Sequence, residues 1–141
     1  MNVMIRSLGN DLQFGLSREQ KVIERLKSHF CDDTILKTED KYCLYDAVGK
    51  DYKYEIKSRR NTKMAYPTTI IPCHKGFPDT IFIFNFTDKL CYIKYDADVF
   101  KNFKTQMIYA DRYNATPPLL HYHIPISSLI DIRLSATEGN A

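Results

Sequence analysis

Two runs between Thr80 and Tyr95, Thr-Ile-Phe-Ile-Phe-Asn-Phe and Lys-Leu-Cys-Tyr-Ile-Lys-Tyr, separated by Thr87-Asp88, constrain this chain more than any other stretch. Both are almost continuously apolar or aromatic. Such runs suit strands at the buried centre of a sheet, because a strand with one wet face alternates apolar and polar residues. The segments on either side therefore have to be read as the layers and strands that surround such a sheet.

Upstream, Ser17 is a good helix N-cap and Gln20 completes the Ser-x-x-Gln capping box. Val22, Ile23, Leu26 and Phe30 follow the helical period, which predicts a helix from Ser17 to about Phe30. Glu19 falls in the middle of that apolar stripe, whereas Lys21 and Glu24 point away from it. An acid there either complements the helix dipole in the first turn or reaches inward towards a functional site. Thr34-Ile35-Leu36 is a short apolar segment that suits a first strand.

Tyr42 to Lys57 then reads as a β-hairpin, with Tyr42 to Val48 and Asp51 to Lys57 as its strands and Gly49-Lys50 as a tight primed turn. With a two-residue loop Val48 lies opposite Asp51, Asp46 opposite Lys53 and Leu44 opposite Glu55. Side chains alternate faces along a strand and opposed residues share a face. Asp46, Lys53, Glu55 and Lys57 then occupy one face and Tyr52, Tyr54 and Ile56 the other. Asp46 and Glu55 become diagonal neighbours with Cβ atoms about 7 Å apart. The inference requires a loop of even length.

Downstream, Pro67 to Pro72 contains a brief Thr-Thr-Ile-Ile strand and His74 to Pro78 a loop. Val99, Phe100, Phe103 and Met107 recur at helical spacing and predict a second, shorter helix between Asp96 and Tyr109. Leu120 to Ile126 suits a last strand, continued irregularly to Ile132. The order predicts an α/β or α+β domain, a mixed central sheet flanked by helices, over residues 1–134, with 135–141 a disordered tail.

Length and composition fit one globular domain: 141 residues, 44% hydrophobic and 26% charged. There is no apolar run of membrane-spanning length, and the first residues lack the basic and apolar regions of a signal peptide. An intracellular location, cytoplasmic or nuclear, without a membrane partner, is expected. Cys31, Cys43, Cys73 and Cys91 form no Cys-x-x-Cys pair, so a zinc ribbon or redox motif is disfavoured and buried free thiols are expected. His121-x-His123 puts two imidazoles on one strand face, but no third ligand stands at zinc spacing.

Charge is uneven. From Lys50 to Lys63 six basic residues face two acids, an excess of +4 in a chain whose net charge is +3. A basic cluster beside paired carboxylates suits a polyanionic substrate.

Asp46 followed by Glu55-Ile56-Lys57, with a helix and its acid ahead of them, resembles the PD-(D/E)XK nuclease superfamily, which includes restriction endonucleases, Holliday-junction resolvases and small nucleases of phages and large DNA viruses. The resemblance covers roughly residues 17–95, with Tyr45 where the motif's name has Pro. It implies a restriction-endonuclease-like core and a metal-dependent endonuclease that hydrolyses DNA, or a branched-DNA resolvase; the alternative from another class is a non-catalytic nucleic-acid-binding module. Asp46, Glu55 and the backbone carbonyl of Ile56 would then hold Mg²⁺ or Mn²⁺. Lys57 would assist the attacking water, and Glu19 would act beside the metal. Ser58, Arg59, Arg60, Asn61, Lys63 and Lys75 are expected to contact nucleic-acid phosphates. By analogy with enzymes that cut two strands, a homodimer is expected, inside a host cell if the protein is viral.

Overall fold

The computed structural model describes residues 19–38, 45–109 and 116–133. The proposed Ser17 cap, the Tyr42 to Leu44 part of the hairpin, and the tail lie outside them.

A mixed sheet of six strands runs through the described residues in the order β1-β2-β3-β5-β6-β9. Its members are β1 (Leu36–Lys37), β2 (Ala47–Val48), β3 (Lys53–Ser58), β5 (Thr80–Asn85), β6 (Leu90–Lys94) and β9 (Ile130–Asp131). The two apolar runs are β5 and β6, paired antiparallel with Phe82 opposite Ile93 and Phe84 opposite Cys91. Every residue of β5 from Thr80 to Phe84 is buried, as its composition requires. β3 pairs with β5 in parallel, from Lys53 beside Thr80 to Ser58 beside Asn85. Parallel neighbours need a crossover. Here it passes through a second, antiparallel sheet, β4-β8-β7. That sheet comprises β4 (Thr68–Pro72), β7 (Lys104–Ile108) and β8 (Leu119–Pro125).

The two faces of the six-stranded sheet bury different cores. Helix α1 (residues 19–30) lays Val22, Ile23 and Leu26 against Tyr54, Ile81 and Ile83. On the opposite face Phe82, Phe84 and Ile93 meet Ile71 and Ile124 of the three-stranded sheet and Phe100. The apolar stripe read in the sequence is thus the helix's buried face.

Three expectations are corrected. The hairpin register pairs Ala47 with Tyr54 and Val48 with Lys53, so the loop is the four residues Gly49 to Tyr52. Four is still even, but the ladder takes in only Ala47 and Val48 of the first strand, and Asp46, whose N–H donates to the Tyr54 carbonyl, lies beyond the register that alternation controls. Among the described residues no glycine has positive φ, so Gly49 is not in a primed turn. It is needed for space, since a Cβ there would stand 2.5 Å from Asp32 Oδ2 and 3.0 Å from Ile35 Cγ1.

The second helix is only α2 (Ala97–Phe100), capped by Asp96, whose carboxylate accepts from the Asp98 and Val99 amides. After Phe103 the chain extends into β7, where Met107 is exposed rather than core-facing. Pairing with β8 outweighs the local helical spacing there.

Of the three described cysteines, all free, only Cys91 is buried; Cys31 is exposed and Cys73 half-buried. No helix among the described residues is long and apolar enough to cross a membrane.

Candidate functional site

The β2–β3 ladder ends at Ala47 and Tyr54, and Asp46 stands just beyond it. Asp46 N–H donates to the Tyr54 carbonyl at 2.9 Å. Its carboxylate then takes the place of a backbone partner: Ile56 N–H donates to Asp46 Oδ2 at 2.7 Å. The strand end is thereby pinned with its acid beside residues 55 and 56. Thr38 secures the other side, its hydroxyl donating to the Tyr45 carbonyl at 2.8 Å.

Glu55 is 5% exposed and sits on the face of β3 that carries Phe82 as its β5 neighbour. Burial pushes its carboxyl above the usual range, and the negative charge of Asp46 adds to the effect, against the opposing pull of Lys75 and Lys57. Lys57 Nζ lies 3.3 Å and Lys75 Nζ 3.7 Å from Glu55 Oε1. Lys75 belongs to the 3₁₀ turn Cys73–Lys75 that follows β4. In the sequence Lys75 is one of the expected phosphate contacts; its place beside Glu55 comes from the crossover, which no local pattern encodes.

On the α1 side of the sheet a cleft of about 620 Å³ is lined among others by Glu19, Asp46, Ile56, Ser58, Arg59 and Arg60, whereas Glu55 and Lys57 do not line it and take the other face of β3. Asp46 thus belongs both to the cleft wall and to the electrostatic surroundings of Glu55. Glu19 is exposed and ion-paired with Lys37, so it stands at the cleft rim rather than in the core. Lys37 and Asn85, which share the cleft, carried no signal in the sequence.

The basic stretch from Lys50 to Lys63 does not form one patch. Arg59 is drawn inward: Nε donates to Thr69 Oγ1 at 3.2 Å, Nη2 donates to the Ile70 carbonyl at 2.6 Å, and the guanidinium stands over Phe84. Desolvation lowers its pKa accordingly. Lys63 pairs with Asp131 at 2.7 Å, and the Asn61 amide donates to the Thr62 carbonyl at 2.8 Å. Arg60 and Ser58 remain exposed at the cleft. The chain turns into the crossover after Arg60, and that turn carries Asn61 and Lys63 away from the cleft.

The two histidines act as pins. His121 Nδ1 meets the Leu119 carbonyl at 2.8 Å, while His123 bridges Thr68 Oγ1 at 3.0 Å and Gln106 Oε1 at 2.7 Å.

Among the described residues no group of three or more His, Cys, Asp or Glu side chains is gathered as a metal-ligand set. The oxygens that the resemblance implies are two carboxylates and a backbone carbonyl, and these are the donors hard divalent cations take. Their electrostatics fit as well. Glu55 is a buried carboxylate whose pKa is raised by burial first and by the Asp46 charge second, against the pull of two lysines. No protein-family model, curated protein or solved structure matches the chain.

Proposed function

We propose that this chain is a metal-dependent endonuclease that hydrolyses DNA phosphodiester bonds on a restriction-endonuclease-like core. The observation that carries the reading is the Asp46–Glu55–Lys57 arrangement at the end of the β2–β3 ladder. The Asp46 charge acts on the buried Glu55, and a lysine stands 3.3 Å from that acid. The element order also fits: a helix, three antiparallel strands, then a crossover to a strand parallel with the third.

Asp46, Glu55 and the Ile56 carbonyl would hold Mg²⁺ or Mn²⁺. Bound there, the cation supplies Lewis-acid polarisation of the scissile phosphate and makes a water acidic enough to attack near neutral pH. The chain's own residues do the rest. Lys57 orients the attacking water and offsets the negative charge that builds on the phosphate oxygens. Arg60 and Ser58, exposed at the cleft, contact flanking phosphates and so position the strand without reading its sequence. Glu19 holds Lys37 at the rim, and with it the approach of the backbone to Asp46. Cutting both strands of a duplex would use two copies of the chain, which sedimentation in the presence of duplex DNA measures.

The test is incubation with Mg²⁺ or Mn²⁺ and a panel of duplex, single-stranded, flapped and four-way DNAs. Wild type is expected to cut at least one, and Asp46→Ala and Lys57→Ala to lower the rate by about 10²-fold or more. Preference for the four-way substrate would make the enzyme a branched-DNA resolvase. DNA binding without cleavage by wild type would make it a binding module and overturn the catalytic reading.

A further inference from the structure

Two lysines converge on one oxygen of Glu55, and they reach it from different layers. Lys57 stands two residues along the same strand, so its proximity is built into β3. Lys75 arrives from the crossover, 3.7 Å from the same Oε1, at the end of the turn Cys73–Lys75. That turn is seated firmly. Gly76 N–H donates to the Cys73 carbonyl at 3.1 Å. Gly76 also lies so close against Tyr95 that a Cβ would stand 2.7 Å from the ring.

We propose that Lys75 competes with the divalent cation for Glu55, and so sets the cation affinity of the Asp46–Glu55 pair from the crossover. The inference rests on the metal site proposed above. Asp46, Glu55, Lys57 and Lys75 together carry no net charge when all are ionised, so the site without a cation is already neutral. A divalent cation entering it meets two ammonium groups, which oppose it. Once bound it leaves the site positively charged, which favours a phosphodiester. Lys75 therefore keeps the cation weakly held until substrate is present. This role differs from that of a distant phosphate contact, whose removal changes DNA affinity and leaves the cation alone.

The experiment is calorimetric titration of Mn²⁺ into the full chain near neutral pH, without DNA. The proteins are wild type, Lys75→Met, Lys75→Gln, Lys75→Arg and, as a control for general charge, Lys101→Met. Losing one unit charge so near a ligand oxygen is expected to tighten Mn²⁺ binding about five-fold in the Met and Gln variants. Arg at position 75 and Met at position 101 are expected to leave it unchanged. Melting in EDTA identifies which of the Met and Gln variants keeps the wild-type fold, and that variant decides. Unchanged or weaker Mn²⁺ binding in it, with wild type binding normally, overturns the role of Lys75 alone. Loss of the fold in both overturns it too, since Lys75 would then be a structural pin. Absence of Mn²⁺ binding by wild type overturns the metal site itself and this inference with it.

Discussion

A carboxylate as enclosed as Glu55 opposes folding whenever it is ionised and lacks full compensation. Burial is the main cause of its raised pKa and Asp46 the second, and the two lysines only partly reverse them. Glu55→Gln keeps the shape and removes the charge. In cation-free buffer at neutral pH it is expected to raise the melting temperature by about 2–4 °C while abolishing cleavage, a gain in stability at the expense of function that thermal melting and a nuclease assay read together. The pairing of Glu55 with Lys57 was legible in the sequence because strand alternation is a strict two-residue rule, whereas the place of Asp46, beyond the paired residues, was not. Nor were the places of Arg59, Lys63 and Lys75. Counting local charge cannot register that one basic side chain is hydrogen-bonded to β4, that another is paired with Asp131, and that a third is brought from a different layer onto Glu55.

Among the elements, the β2–β3 loop sets how the end of β2 meets β3. Asp32 braces it from outside: Lys50 N–H donates to Asp32 Oδ2 at 2.8 Å, and the Thr34 amide donates to Oδ1 at 2.9 Å. Gly49 passes directly beneath that carboxylate. Gly49→Ala forces the brace aside, with an expected cost of about 1–3 kcal/mol in chemical denaturation. The proposed cleavage is expected to fall further than stability explains, because the strand end that holds Asp46 against the Tyr54 carbonyl and the Ile56 amide loosens. The helix α1, the central strands and the last long strand were readable from periodicity. The segment after Asp96 was not. Phe100 and Phe103 do pack together in a short helical turn, with ring centroids 4.9 Å apart. The same spacing extended to Met107 misleads, since β8 offers a strand partner that only the folded chain brings near.

At the scale of the whole molecule, Asp131 ties the edge strand β9 to the crossover and to the core. Lys63 Nζ lies 2.7 Å from its carboxylate, and the buried Cys91 thiol donates to it at 3.2 Å. Lys63, and after it Cys91, hold the Asp131 carboxyl below its ordinary 3.8. A depressed carboxyl stabilises the fold above its unfolded pKa, and that stability is lost as pH falls through the lower folded value. Asp131→Asn is therefore expected to cost under about 1 kcal/mol near pH 6, because the acid is half exposed, and less at about pH 3. Denaturation at the two pH values measures the difference. The larger partition is set by the parallel pairing of β3 with β5, from Lys53 beside Thr80 onward. Ordering in time follows from it, because contacts distant in sequence form late. A ribosome releases Asp46, Glu55 and Lys57 before it has made the strand that flanks them. The nascent hairpin therefore waits with an open edge until residues 80–94 emerge.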